Sequence, residues 1–263
     1  VPFVPVEAEE RAMEINIQVR IGANESSFGV SPKVKAALET ALSEVMWYGD
    51  SENHELRHAL ARFYGLRADE IMIGSGIDEI LGLLVRIFLN PGETVVASHG
   101  SYPTFQYHVQ GFGGKVETVP YHQFHNDLGA LAEKAHQVQA KIVYLANPDN
   151  PTGTYIDKEL LKDFLHRLPA NCVLVLDEAY IEFVPNPIVL PLSEKDPRLI
   201  RTRTFSKAYG MAGLRVGYAI ADPSVIQALD KVRNHFGVNR LAQHGALAAI
   251  QDQAFVKSVV EEV

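Results

Sequence analysis

The sequence predicts an α/β protein with a mostly parallel central sheet that is covered by helices. Short β-rich runs alternate with helical patterns along the 263 residues, and this alternation implies crossover connections between parallel strands. The apolar runs at residues 141–145 and 172–176 are continuous rather than alternating, as expected for strands buried on both faces. Ligands bind beside the carboxyl ends of such strands, so we expect the functional residues directly after strands.

Local signals place the individual elements. Ser31-Pro32 supplies an N-cap and a first-turn proline for a helix, and a second helical pattern ends at Gly65. An apolar strand at residues 71–73 runs into a glycine-rich turn, and a helix with a buried stripe from Ile77 to Phe88 follows. The other predicted elements are strands at 94–98, 116–119, 141–145, 172–176, 199–204 and 214–220, helices near 102–109, 128–138 and 157–168, and a helical region from 223 onward.

Composition disfavours several kinds of protein. The net charge of −8 argues against a nucleic-acid-binding protein, which needs a basic surface. No signal-peptide pattern opens the chain, and its most apolar helical stretch, residues 80–89, is short and interrupted by Arg86, so no membrane association is predicted. The single cysteine, Cys172, excludes an intrachain disulfide, favours a cytoplasmic location and is predicted to be a core residue. His122 and His125 lack further ligands nearby, so no metal site is predicted.

Three turns that follow predicted strands carry polar groups. Backbone N–H groups at the turn Gly74-Ser75-Gly76 could hold a phosphate, although the turn matches neither a dinucleotide fingerprint nor a P-loop and could be a simple tight turn. The loop at residues 146–153 is stiffened by prolines and presents the amide of Asn150. Asp177 ends a buried apolar strand, where a carboxylate is costly without a cationic partner. The alternatives for these last two sites are turn chemistry and a structural cap or ion pair.

The most specific signal lies at residues 204–218, between two predicted strands. The string Thr204-Phe205-Ser206-Lys207-Ala208-Tyr209-Gly210 sets two aliphatic hydroxyl groups close to a lysine, small residues follow, and Arg215 comes after them. A solvated loop would explain any one of these residues, but it explains the whole string poorly. Residues 204–218 are therefore the best candidates for a catalytic segment.

These segments together resemble a known family. Residues 204–218 resemble the lysine motif of fold-type-I pyridoxal-5′-phosphate (PLP) aminotransferases, and the three preceding turns resemble the family's phosphate turn, its Asn-Pro-x-Asn-Pro-Thr-Gly loop and its Asp-x-Ala-Tyr strand end, in the same order. With Ala23-Asn24-Glu25, the chain is most similar to histidinol-phosphate aminotransferases, over residues 20 to 260. The resemblance implies the three-layer large domain of PLP-dependent transferases, with a mostly parallel central sheet.

The resemblance also implies roles for individual residues. Catalytic roles fall on Lys207, which would hold the cofactor covalently and move the substrate proton, on Asp177, which would pair with the pyridine nitrogen, and on Tyr180. Tyr48 matches a tyrosine that reaches the cofactor phosphate of a neighbouring subunit, which implies a homodimer with shared active sites. The implied cofactor-binding residues of one subunit are Ile77, Asp78, Tyr102, Asn150, Asp177, Tyr180, Thr204, Ser206, Lys207 and Arg215.

Two features depart from the family. Members run about one small domain further, so we expect residues 1–30 to be an N-terminal arm or small-domain segment, 31–250 the PLP-binding large domain and 251–263 the start of a helix that leads to an absent C-terminal domain. Without that domain, the arginine that clamps the substrate carboxylate cannot be assigned. Gly237 and Arg240 also differ from the usual pattern, which leaves histidinol phosphate open as the substrate.

Three functions remain open from the sequence. The first is an aminotransferase that moves an amino group between an amino acid, or histidinol phosphate, and a 2-oxo acid. The second is a PLP-dependent decarboxylase of a phosphorylated amino acid on the same scaffold, because the cofactor residues would be unchanged. The third is a non-catalytic truncated homologue, which the intact set of Lys207, Asp177, Asn150, Tyr180 and Arg215 disfavours.

Overall fold

A computed structural model describes residues 4–185 and 189–263 and contains one seven-stranded sheet. Its strand order is β1-β7-β6-β5-β4-β2-β3, and β7 runs antiparallel to both of its neighbours while the other neighbouring pairs are parallel. The predicted mostly parallel α/β sheet is thereby confirmed. The strands are β1 Ile71–Gly74, β2 Thr94–Ser98, β3 Lys115–Val119, β4 Ile142–Ala146, β5 Val173–Asp177, β6 Leu199–Thr204 and β7 Gly217–Ile220.

Helices cover both faces of the sheet. On one face α4, α5 and α8 pack against alternate strand residues such as Ala97, Tyr144 and Val175, and on the other face α2, α3, α9 and α10 form one core and α6 and α7 a second. This is the predicted three-layer arrangement. The helices are α1 Val6–Met13, α2 Pro32–Ala41, α3 His54–Tyr64, α4 Ile77–Phe88, α5 Pro103–Gly111, α6 Leu128–Gln137, α7 Lys158–Arg167, α8 Pro223–Val232, α9 Arg240–Ile250 and α10 Gln253–Glu262.

The predicted helix ends at Ser31 and Gly65 are confirmed. The Ser31 side chain accepts a hydrogen bond from the backbone N–H of Val34 and caps α2, an interaction worth about 1 kcal/mol. Gly65 closes α3 with φ of +67°, a left-handed conformation that glycine adopts without steric cost. Cys172 is fully buried, and burial raises the pKa of its thiol to about 12, as expected for a core residue. Within the described part of the chain, no helix is long and apolar enough to cross a membrane.

Two sequence predictions were wrong in detail. The strand predicted at 214–220 begins only at Gly217, because Ala212–Leu214 is a 3-10 helix and Arg215 adopts a left-handed conformation with φ of 57°. The helical region predicted from residue 223 onward consists of α8, α9 and α10, with breaks at 233–239 and 251–252. After the first break, α9 begins next to Asn239, because the Asn239 side chain caps this helix by accepting a hydrogen bond from the Ala242 N–H. The domain boundaries at residues 30 and 250 stay predictions.

Candidate active site

Four of the predicted segments meet at one edge of the sheet. β4, β5 and β6 are parallel, and β1 has the same direction as β6 because β7 is antiparallel to both. The carboxyl ends of these strands therefore carry the glycine-rich turn, the 146–153 loop, Asp177 and the lysine segment to the same side. The sheet thus brings together side chains that are up to 130 or so residues apart in sequence.

A cationic corner forms at the start of α4. Arg215 lies against the glycine-rich turn, with Nη2 3.4 Å from Asp78 Oδ2 and Nη1 3.5 Å from Ser206 Oγ. Tyr102 donates to the other Asp78 oxygen at 3.0 Å. Gly76 has φ of +86°, and a Cβ atom there would stand 2.6 Å from the Arg215 guanidinium. Only glycine lets the arginine approach the helix N-terminus this closely, and together they offer N–H donors and positive charge to a phosphate.

Asp177 lies at the end of β5 and is 5% exposed. Its carboxylate accepts hydrogen bonds from the Tyr144 hydroxyl at 2.8 Å and the Ala179 N–H at 3.0 Å. Within the described residues it forms no ion pair with a basic side chain, and burial raises the pKa of Asp177 to about 6. The hydroxyl of Thr202, paired with Asp177 across the sheet, is also buried without a partner among the described residues. The Asp177 carboxylate can accept a hydrogen bond from one more N–H group, and the protonated nitrogen of a pyridine ring would supply one.

Lys207 and Tyr180 face each other beside Asn24. The Lys207 ammonium lies 5.7 Å from the centre of the Tyr180 ring and donates to the carbonyl oxygens of Ala23 at 2.8 Å and Asn24 at 3.3 Å. The Tyr180 hydroxyl accepts from the side-chain amide of Asn24 at 2.9 Å. Burial, and to a smaller extent the charge of Arg215, lowers the pKa of Lys207. A lysine with a lowered pKa is better suited to act as a nucleophile and as a base.

A cavity of about 420 Å³ opens beside these residues. Asn24, Asn150 and Tyr180 all line it, so the predicted residues Asn150 and Tyr180 border the same cavity. The lining also includes the aromatic residues Tyr155 and Phe183. The cationic corner at Arg215 is not part of this lining.

Thr204 and Tyr48 make contacts that the sequence did not predict. The Thr204 hydroxyl accepts from the Ser206 N–H at 3.0 Å, so in this structure it stabilises the lysine segment. Tyr48 is 75% exposed and stacks on Phe236 with ring centres 4.6 Å apart. Their predicted roles toward a cofactor stay predictions, as do those of the other site residues.

Sequence reasoning gave no role to Tyr144 or Asn24. Tyr144 is the one hydroxyl in the apolar strand β4 and donates to Asp177. A polar group inside a fully buried strand was a signal that could have identified it, because such a group needs a partner. Asn24 reaches Tyr180 across 156 positions, and only its place in Ala23-Asn24-Glu25 pointed to it.

Comparisons with known proteins decide the family. Residues 16–263 match the family described as aminotransferase class I and II. The chain belongs to this family. A histidinol-phosphate aminotransferase of Carboxydothermus hydrogenoformans is 40% identical over 99% of this chain and 73% of its own length. The crystal structure of histidinol-phosphate aminotransferase from Sinorhizobium meliloti in complex with PLP superimposes with a TM-score of 0.97, is 47% identical, and is matched over 99% of this chain and 71% of its own.

The family membership confirms the predicted fold, the enzyme class and the cofactor. The chain is a PLP-dependent aminotransferase, and the buried acid, the lysine with a lowered pKa and the cationic corner fit PLP chemically. A second solved structure, a putative histidinol-phosphate aminotransferase from Erwinia carotovora atroseptica, is 30% identical with a TM-score of 0.87, covering 92% of this chain and 72% of that one.

Proposed function

We propose that this aminotransferase takes the amino group of histidinol phosphate and passes it to a 2-oxo acid. The observation that supports this substrate is the similarity to the Sinorhizobium meliloti histidinol-phosphate aminotransferase, at 47% identity over nearly the whole chain. Arg240, one of the departures from the usual pattern, is held by Glu44 at 2.7 Å and by the Tyr48 carbonyl oxygen at 2.7 Å. Its positive charge is therefore already partnered within this chain, and its presence does not argue for a different anionic substrate.

Lys207 carries the proton chemistry in this proposal. When bound, PLP supplies an electron sink that stabilises negative charge on the substrate carbon. Lys207 would hold the cofactor covalently, and its amine, once released, would take the proton from the substrate carbon and carry it to the cofactor. Its lowered pKa keeps a larger fraction of the amine unprotonated near neutral pH, which this task requires.

Asp177 and Tyr180 tune the cofactor. The Asp177 carboxylate holds a proton on the pyridine nitrogen, and the new positive charge beside it favours the ionised carboxylate that burial alone disfavours. Tyr180 and Asn150, which line one cavity, would donate to the phenolic oxygen of the ring. Tyr102, whose hydroxyl is fixed by Asp78, would lie against the face of the ring.

The cationic corner holds the phosphate in this proposal. The N–H groups of Ile77 and Asp78 at the start of α4, the Ser206 hydroxyl and the Arg215 guanidinium surround one small volume. A phosphate there would take the place of Asp78 as the partner of Arg215. Fixing the phosphate keeps the ring in register with Lys207 and Asp177.

A homodimer in the cytoplasm belongs to the same proposal. Met46, Trp47 and Tyr48 form an apolar stretch in which each side chain is more than half exposed. Such a stretch is unfavourable in water and favours burial against a second copy of the chain. Tyr48 would then reach the cofactor phosphate of the partner subunit.

An absorption experiment tests the proposal. PLP is added to the purified protein and to Lys207→Ala, with Lys257→Ala as the matched control because Lys257 is exposed on α10. We expect a visible absorption band that the control keeps and Lys207→Ala loses. Histidinol phosphate should abolish the band, and a 2-oxo acid should restore it. Carbon dioxide release without oxo-acid turnover would contradict the transaminase assignment, and a band indifferent to histidinol phosphate would contradict the substrate.

A further inference from the structure

The segment at residues 23–29 crosses directly over Lys207. Two successive carbonyl groups, those of Ala23 and Asn24, accept hydrogen bonds from the lysine ammonium at 2.8 and 3.3 Å. An ammonium has three N–H donors and a neutral amine has two, so paired carbonyl acceptors favour the protonated form and fix its direction. The backbone of this segment is therefore part of the surroundings of Lys207.

Asn24 joins Lys207 to Tyr180. Its carbonyl oxygen accepts from Lys207 while its side-chain amide donates to the Tyr180 hydroxyl at 2.9 Å. Because the amide occupies the phenol oxygen as a donor, the phenol keeps its own proton available for another acceptor. Asn24 also has φ of 52°, a left-handed conformation that asparagine tolerates better than most residues. Its residue type thus suits both its backbone and its side-chain contacts.

A second contact anchors the far end of the segment. Gly210, three residues after Lys207, has φ of +70°, and a Cβ atom there would lie 1.9 Å from the carbonyl oxygen of Gly29. The two backbones approach as closely as only glycine allows. The 23–29 segment is consequently held against the lysine loop at Gly29 and against Tyr180 at Asn24, with Lys207 between the two points.

Charged groups from several elements face Lys207. Arg215 disfavours its positive charge, whereas Glu25, Asp177 and Asp78 favour it. Glu25 is itself shared with Arg20, whose Nε lies 3.5 Å from Oε2. Burial of the lysine disfavours its charge most strongly. The carbonyl groups of Ala23 and Asn24 add hydrogen bonds that fix the direction of the Lys207 amine, which the surrounding charges do not fix.

We propose that Asn24 is a positioning residue that holds the amine of Lys207 and the hydroxyl of Tyr180 in one fixed arrangement for proton transfer. The proposal rests on the function proposed above, in which Lys207 moves the substrate proton. Its carbonyl and that of Ala23 receive the lysine amine when it is not bonded to the cofactor. Its amide keeps the Tyr180 proton directed into the site.

The test measures how Lys207 reacts with a small amine-specific acylating reagent as a function of pH. The cofactor-free protein is labelled between pH 6 and 10, and labelling of the Lys207 peptide is read by mass spectrometry. Asn24→Gly keeps the left-handed backbone accessible but removes the amide and loosens the carbonyls. We expect labelling near neutral pH to rise about threefold, because less support for the ammonium lowers the pKa of Lys207 further.

Asn24→Asp keeps the shape of the side chain and its tolerance of positive φ but adds a negative charge, so labelling of Lys207 should fall instead. Ser27→Gly loosens the same segment at an exposed residue and should leave labelling unchanged. Opposite shifts in the two Asn24 variants support the proposal. Equal labelling in all proteins, or an equal rise in Ser27→Gly and Asn24→Gly, overturns it.

The outcome is separable from that of the proposed function. Loss of the absorption band in Lys207→Ala with unchanged labelling in the Asn24 variants would leave Lys207 as the cofactor lysine and remove Asn24 as its positioning residue. In the PLP-loaded protein, Asn24→Gly should lower kcat about tenfold with little change in KM, since it disturbs the proton-transfer step rather than binding. A change in KM alone would count against the assignment.

Discussion

Asp177 and Glu178 are consecutive carboxylates with opposite surroundings. Both are buried at the carboxyl end of β5, but Asp177 faces Tyr144 and the α4 side of the sheet while Glu178 faces Arg201 and Arg203. The two arginines hold the pKa of Glu178 below its usual value. Burial without a basic partner raises the pKa of Asp177 to about 6.

The difference separates a carboxylate whose charge is matched within the chain from one whose charge is not. Glu178 accepts from Arg201 Nε at 3.0 Å and from Arg203 Nε at 2.8 Å, so its charge is matched within the chain. The unmatched charge of Asp177 costs stability in the protein alone and becomes favourable only when a cation arrives. Two adjacent carboxylates at the end of β5 thus have different surroundings, because their side chains point to opposite faces of the sheet.

The largest effect is expected from Glu178→Gln. Removing the negative charge leaves Arg201 and Arg203 buried on one face without their shared partner, which costs about 3–5 kcal/mol of unfolding free energy. Glu182, whose pKa burial raises to about 7, would ionise to assist Arg203 and bring the cost toward the lower value. Urea unfolding of the cofactor-free protein at pH 7 measures the change.

Asp177→Asn is the matched control for that substitution, since it makes the same chemical change one residue earlier. If both variants lost the same stability, the contrast between the two faces would be wrong. A loss below about 1 kcal/mol in Glu178→Gln would show that Arg201 and Arg203 find sufficient partners elsewhere.

The second prediction concerns the pH dependence of Asp177. Its pKa in the folded protein, about 6, lies above the ordinary value of 3.8, so the folded state binds the proton more tightly than the unfolded state. The stabilising contribution is full below pH 4 and is lost as the pH rises to about 6 and beyond, a change of about 3 kcal/mol. The cofactor-free parent protein should therefore lose this stability between pH 4 and pH 7, and Asp177→Asn should not.

At pH 8 the variant should be more stable than the parent by about 2 kcal/mol, because the amide avoids the buried charge but leaves one N–H without its carboxylate acceptor, at about 1 kcal/mol. PLP affinity should fall in the same variant. A variant that is less stable than the parent at pH 8 would mean that Asp177 already has a cationic partner in the cofactor-free protein.

Much of the fold around this site was predictable from sequence, because helix caps and strand ends depend on neighbouring residues. The N-cap at Ser31, the glycine end of α3 and the position of Asp177 directly after an apolar strand follow from neighbouring residues alone. Once the strands are known to be parallel, their carboxyl ends must lie along the same edge of the sheet, so the residues that follow them come together.

What the sequence could not supply were contacts between distant positions. Arg240 departs from the family's usual pattern, and only the structure shows that it binds Glu44, 196 positions away. The strand predicted at Leu214 failed because Arg215 adopts a left-handed backbone that turns its side chain toward Asp78, and residue type alone does not indicate this conformation. The arginine partners of Glu178 become visible only once β5 and β6 are paired.

The smallest expected effect comes from Tyr144→Phe. The Tyr144 hydroxyl donates to Asp177 and holds its pKa down, so its removal should raise that pKa further and cost about 1–2 kcal/mol at pH 8, where Asp177 is ionised. At pH 4, where Asp177 is protonated, the cost should be smaller. The matched control is Tyr218→Phe, which removes a buried hydroxyl paired with Tyr64 at 2.6 Å in the core on the Glu178 side of the sheet. The control should show the same cost at both pH values. Equal costs at pH 4 and pH 8 in Tyr144→Phe as well would mean that its hydroxyl does not stabilise the ionised form of Asp177, and the charge of that carboxylate would then need another source of support.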